Sequence, residues 1–171
     1  MSQAKEVIIC EANVADAERV LSTLNTILRE TDYIIESQPL SLDDMVSFIA
    51  DRQNRPNELC LIAKIDSEVI GILNIASSTL YQMDHIGDLF IAIKERYVVN
   101  GLGQAMVDMA IDWSKQSDII RRLELTVQKR NKRAIHVYEK FGFEIEGTKE
   151  RGIKTKNGEF LDLYLMSKMI D

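Results

Sequence analysis

The stretch from Lys94 to Ala110, "KERYVVNGLGQAMVDMA", decides how this chain is read. Just before it, "DLFIAI" at 88–93 is apolar on consecutive residues, which suits a central strand buried on both faces. After Gly103, apolar residues recur at helical spacing to about Ser117. Met106, Val107, Met109, Ala110, Ile111 and Trp113 share one broad arc, and Gln104, Asp108, Asp112 and Lys115 share the other. Strand, glycine loop, helix and the following strand "RLELTV" form a right-handed crossover that joins parallel strands. Paired glycines at a helix start let the backbone approach an anion, because the first N–H groups of a helix point outward with partial positive charge. On this stretch alone, a structural turn explains Gly101 and Gly103 as well as anion binding does.

The rest of the chain falls into short elements. "VIIC" at 7–10 is a strand, and Asn13 and Asp16 are capping candidates for a helix that carries Val20, Leu21, Leu24, Ile27 and Leu28 on its apolar side. A second helix follows Pro39, with Ser41 and Asp44 as a capping box and Leu42, Met45, Val46 and Ile49 turned inward. "ELCLIAKI" and "EVIGILNIA", separated by Asp66 and Ser67, make a hairpin. A short helix from Asn131 or Lys132 to Phe141 stops at Gly142. It turns Asn131, Ala134, Ile135 and Tyr138 inward and leaves His136 facing water. "FEIEGTKE" and "FLDLYLMSKM" close the chain as a hairpin around Asn157 and Gly158, with Leu161, Leu163 and Leu165 on its buried face.

At 171 residues, with 46% hydrophobic and 28% charged residues, the sequence suits one globular domain over 1–171. No window approaches the roughly 20 apolar residues of a membrane span, and "MSQAKE" lacks the features of a signal peptide, so a cytoplasmic protein is expected. A net charge of −6 argues against a general nucleic-acid binder. One local exception is "KRNKR" at 129–133, which reads as an anion site or as a solvated helix start. Cys10 and Cys60 lie in apolar strands and read as reduced core residues.

Two familiar phosphate motifs do not fit. A P-loop needs Lys-Ser or Lys-Thr after its second glycine, where Gln104 and Ala105 stand. The dinucleotide fingerprint has its first two glycines here and an acidic residue, Glu124, about twenty residues on. Its third glycine position, however, holds Met106, and seven residues separate the strand from Gly101.

"YVVNGLGQAM" resembles the acetyl-CoA pyrophosphate loop of the GNAT superfamily of N-acyltransferases. "LELTVQKRNKRAIHVYEKFGFEIEGTKE" is similar to the next segment of that superfamily: a strand, an Asn, an Ala-Ile pair, a Tyr, then Gly-Phe. The resemblance spans about residues 5–170. It implies an α/β fold with a mixed, mostly antiparallel twisted sheet, a central parallel strand pair and helices on both faces. Where the family pattern has Arg or Gln, this chain has Val98.

The resemblance also implies a chemistry. Val99, Asn100, Gly101, Gly103 and Gln104 would cradle the pyrophosphate of acetyl-CoA, and Asn131 would contact the cofactor, cap its helix, or both. Lys129, Arg130 or Lys132 would stand near the 3′-phosphate. The pantetheine arm would run beside the buried strand at Ile91 and Ile93 like an extra strand, with a main-chain N–H near Ile93 as the oxyanion donor. An amine would attack the thioester directly, and Tyr138 would protonate the departing thiolate. Glu124 or Asp88, at the starts of neighbouring strands that splay apart, would take the amine's proton through water, with His85 as a further candidate. In the ribosomal-protein alanine acetyltransferase branch the glutamate base aligns with Thr126, two residues from Glu124. The C-terminal run "EGTKERGIKTKNGEFLDLYLM" looks most like the amino-acid and small-metabolite branch. The implied acceptor is a small amine or a protein N-terminus, and a homodimer fits the superfamily. Carboxylates such as Glu36, Asp43 and Asp84 would steer a cationic amine but are too common on surfaces to carry specificity. Remaining alternatives are a non-catalytic acyl-CoA-binding module and a dinucleotide oxidoreductase.

Overall fold

The computed structural model describes residues 5–34, 40–98 and 101–171. Pro39 and Glu36, and the loop residues Val99 and Asn100, lie outside the described residues.

Strands β1 (Val7–Glu11), β2 (Leu59–Ile65), β3 (Glu68–Ala76) and β4 (Ile86–Ile93) form an antiparallel run, and β4 then pairs in parallel with β5 (Arg122–Gln128). Strands β6 (Glu144–Lys154) and β7 (Phe160–Met169) complete a sheet whose order among the described residues is β1-β2-β3-β4-β5-β7-β6. Helices α1 (Ala17–Glu30) and α2 (Leu42–Asn54) lie over β2, β3 and β4, while α3 (Leu102–Gln116) and α4 (Lys132–Lys140) pack on the opposite face. The sheet therefore separates two apolar layers. One, under α1 and α2, includes Val20, Met45, Ile49, Ile62 and Ile72. The larger one, under α3 and α4, includes Leu73, Ile75, Met106, Leu123, Leu125 and Met166.

Local chemistry sets most element ends. Asn13 and Asp16 form a reciprocal capping box on the 3₁₀ turn that leads into α1, and Ser41 and Asp44 do the same for α2, each satisfying backbone N–H groups that the first helical turn cannot. Asn131 caps α4, accepting from the N–H of Ala134 at 3.3 Å. The turn between β2 and β3 falls on Asp66 and Ser67 as expected, with Asp66 at φ 55°.

Several apolar positions differ from the expectation. β4 is not buried on both faces, since Asp88 keeps part of its surface exposed and Phe90 is 36% exposed. Leu165 of β7 is 37% exposed beside its buried neighbour Leu163, and Leu161 is half-buried. Phe90 and Leu165 lie on the α1/α2 face of the sheet; those two helices lie mainly over β2 to β4, so among the described residues no helix covers that face at Phe90 and Leu165, while Gln128 and Leu163 at its far end are buried. Leu42 and Met109 are also exposed, at the margins of their helices' apolar stripes, where helical period locates a face but not the edge of its cover. Cys60 is buried as a free thiol and Cys10 is half-buried; burial pushes the Cys60 thiol up to about 12.

β4 and β5 share only three rungs, Ile86, Gly87 and Asp88 against Arg122, Leu123 and Glu124. Beyond them β4 stays with β3 as far as Ile93, and β5 stays with β7 as far as Gln128, so the sheet opens down its middle. The closed end is tight. A Cβ on Gly87 would lie 2.7 Å from Ile75 Cγ2 and 2.9 Å from Leu123 Cδ2, so any larger residue would have to push these side chains aside where the three strands meet.

Candidate active site

The gap between β4 and β5 widens into a cleft of about 800 Å³. Ile91 and Ile93 of β4 line it, together with the start of α3 at Gly101, Gly103 and Gln104, and with Asn131, Lys132, Arg133 and Tyr138 of α4 and its cap. Gly101 takes the left-handed conformation (φ 77°) as it turns into α3, and a Cβ at Gly103 would meet nothing closer than Ile93 Cδ1 at 3.5 Å. Gly103 is therefore not demanded by packing, and its bare backbone leaves the helix start open toward the cleft. The first turn of α3 carries no acidic residue, so its partial positive charge is not neutralised locally. α4 likewise has no acid in its first turn and presents Lys132 and Arg133 to the cleft.

Val98, the departure from the family pattern, also lines the cleft, and Lys140 of α4 reaches across to donate to Gln104 Oε1 at 2.7 Å. Asn131 both caps α4 and lines the cleft, so the two roles read for it coexist. Tyr138 lines the cleft with its ring tilted on Phe143, centroids 5.6 Å apart. Burial pushes its hydroxyl up to about 12, and among the described residues that hydroxyl has no hydrogen-bond partner. It is a protonated donor left free for something in the cleft.

The basic run divides. Lys129 is not among the residues lining the cleft; its ammonium lies over the Tyr164 ring at 5.8 Å. Arg130 does line it but is engaged with Asp32 at 2.9 Å and with Gln128. His85 and Glu124 are also outside the lining, whereas His136 sits on the rim.

Glu124 stands opposite Asp88 on the last rung before the strands part. Its Oε2 accepts from Arg122 Nε at 2.9 Å, and the two terminal nitrogens of Arg122 grip the Glu146 carboxylate at 2.6 and 2.7 Å. Arg122, and then the Ser167 hydroxyl that donates to the same group, hold the Glu146 carboxyl down at about 2. Neither the Arg122–Glu146–Ser167 network nor the buried Glu58 is signalled by any motif. Asp88 receives no cation among the described residues. Water is partly withdrawn from its carboxyl and the charge of Glu124 faces it, so its proton is held to higher pH than on a free aspartate. A raised carboxyl pKa in the folded state means that ionisation opposes folding above that pKa and not below the unfolded value. Asp88→Asn is therefore expected to raise Tm near neutral pH, with the gain fading as pH falls through the ordinary aspartate range. Melts of the variant and parent across that range check it, and a gain that persists in acid would refute the cause.

The chain matches the Acetyltransferase (GNAT) family over residues 22–143. It belongs to the GNAT acetyltransferase family. It is 37% identical over 120 residues to an L-amino acid N-acetyltransferase of Escherichia coli strain K12, an alignment that covers 68% of this chain and 71% of that one. Among solved structures, an acetyltransferase of the GNAT family from Streptococcus pneumoniae is 41% identical with a TM-score of 0.94, covering 96% of this chain and all of that chain, 100%. An acetyltransferase-like protein from Salmonella typhimurium, solved with its cofactor acetyl-CoA, shares the fold at 17% identity and a TM-score of 0.86, covering 97% of this chain and 95% of that one. As a GNAT N-acetyltransferase the chain is an acyl-transfer enzyme whose cosubstrate is acetyl-CoA. Among the described residues no helix is long and apolar enough to cross a membrane.

Proposed function

We propose that this enzyme moves the acetyl group of acetyl-CoA onto the primary amine of an amino acid or similar small molecule, by direct attack in a ternary complex. The observation that carries the reading is that the Gly101–Gly103 helix start and the unpartnered Tyr138 hydroxyl share one cleft, at the point where β4 and β5 part. The α3 N-terminus suits the pyrophosphate, with Gly101, Gly103 and Gln104 as the described part of its cradle and Val99 and Asn100 as the residues before it. Lys132 and Arg133 are the cations facing the cleft that remain for the 3′-phosphate. The unpaired edge of β4 at Ile91 and Ile93 suits the amide-bearing pantetheine arm, and a main-chain N–H near Ile93 suits the oxyanion.

The acceptor amine reaches the thioester from the face of the sheet on which Asp88 and Glu124 stand. One of this carboxylate pair takes the ammonium proton through water. The amine nitrogen then bonds to the carbonyl carbon, the C–S bond breaks, and Tyr138 donates its hydroxyl proton to the leaving sulfur. The second proton of the new amide nitrogen returns to Tyr138 through solvent, so the products are the amide, free thiol and one proton. Partial burial, and then the neighbouring Glu124, keep the proton affinity of Asp88 high, while Glu124 is tied to Arg122.

The similarity to an L-amino acid N-acetyltransferase supports an amino-acid acceptor. Thiol release from acetyl-CoA over a panel of L-amino acids, polyamines and a peptide with a free N-terminus tests it. Turnover is expected to be highest with an amino acid. Faster turnover with the peptide would overturn the acceptor class, and acetyl-CoA binding without turnover of any amine would overturn the catalytic reading.

A further inference from the structure

Residues 30–34 cross the wide end of the β4/β5 gap and are tied on both sides. On the β4 side, the Glu30 carboxylate accepts the backbone N–H of Glu95 at 2.9 Å. On the β5 side, the Gln128 amide donates to the carbonyls of Asp32 at 2.8 Å and Tyr33 at 3.1 Å, and its oxygen accepts from Arg130 Nε at 2.8 Å. Gln128 is only 2% exposed, so its polar atoms depend on these partners. The network also fixes which way the amide points, since the reverse orientation would set its oxygen against two carbonyls. Arg130 then clasps the Asp32 carboxylate at 2.9 Å and lies over the Tyr33 ring at 5.3 Å. The inner side of this strap, at Glu30, Thr31, Tyr33 and Ile34, forms a wall of the cleft.

We propose that Gln128 and Arg130 are positioning residues for acetyl-CoA. They pin a strap across the parted strands, and the cofactor's arm is held against it. On this view Arg130 serves the strap and not the 3′-phosphate. The inference rests on the reading of the cleft as the cofactor site. The two residues contribute unequally. The Arg130–Asp32 pair is open to solvent on both sides and weak for that reason, whereas the amide bonds of Gln128 are buried and leave unpaired carbonyls when lost.

The test is calorimetric titration with coenzyme A and 3′-dephospho-coenzyme A, steady-state kinetics, and amide hydrogen exchange with and without acetyl-CoA. Gln128→Leu is expected to raise Kd and KM for acetyl-CoA about tenfold, with kcat within about threefold of the parent. It should also speed exchange at residues 31–34. Gln128→Glu keeps the partner of Arg130 but has no protons to donate, so it should weaken binding as much. Arg130→Met, at a half-exposed side chain that poses no threat to folding, should weaken binding about two- to threefold and by the same factor for both coenzymes. Unchanged Kd in folded Gln128→Leu overturns the proposal. So does an Arg130→Met penalty that disappears with 3′-dephospho-coenzyme A, which would make the guanidinium a phosphate ligand. If acetyl-CoA binds the parent yet protects neither the first turn of α3 nor α4, the cleft reading itself fails, and that result is distinct from the other two.

Discussion

Tyr138→Phe is expected to lower kcat by about two orders of magnitude while leaving the Kd for acetyl-CoA within about twofold, because a well-placed general acid contributes roughly 10²–10⁴ in rate and little to ground-state binding. The substitution isolates the proton. The ring keeps its packing on Phe143, and the hydroxyl that is removed has no partner among the described residues, so nothing buried is left unsatisfied. Stability should not change. Burial holds this hydroxyl near 12, so it is a donor throughout the neutral range, and no loss of rate attributable to Tyr138 should appear on the basic side until pH nears that value. Presteady-state thiol release separates the chemical step from product release. A kcat within twofold of the parent would mean that the sulfur leaves with a proton from water, and Tyr138 would then be a packing residue.

Glu58→Ala is expected to cost the fold on the order of 3 kcal/mol, a fall in Tm of about 6–12 °C for a chain of this size. The Glu58 side chain is 3% exposed and accepts from Arg52 at 2.9 Å, from Arg55 at 2.8 Å and from the Ser77 backbone at 3.0 Å. Arg52 also donates to Asn74 and stacks over Phe48, so its guanidinium cannot simply swing out to water. Removing the carboxylate leaves two arginines and a backbone N–H without their acceptor at the C-terminal end of α2. Urea denaturation measures the effect. A loss below about 0.5 kcal/mol would show that water replaces the carboxylate at little cost, as at an ordinary surface pair.

The sequence revealed what is decided locally. Caps at Asn13, Ser41 and Asn131, the Asp66–Ser67 turn, the stop at Gly142 and the glycine loop before α3 each depend on a few adjacent residues, and the structure has them where they were expected. The family-typical Tyr138 also falls in the cleft. What depends on distant cover was less legible. Phe90 read as core from a continuous apolar run and Leu165 from its alternation with Leu161 and Leu163, but neither pattern says where the covering helices end. Gln128 gave no signal at all, since its partners Asp32 and Tyr33 are 96 and 95 residues away and are met through backbone carbonyls that carry no side-chain signature. Lys129 and Arg130 are adjacent in one basic run, yet one leans on Tyr164 and the other enters the cleft wall, a division that the turn after β5 makes and composition hides.

The buried sulfur of Cys60 has a practical corollary for the bench. Only a thiolate attacks a disulfide reagent, and a thiol held near 12 is ionised in about one molecule in ten thousand at pH 8. Colorimetric sulfhydryl counting in the native enzyme should therefore register liberated coenzyme and, at most, Cys10. Of the two free thiols, the one belonging to Cys60 should appear only on adding denaturant, so the rise in count above the native value would report how much of a preparation was folded.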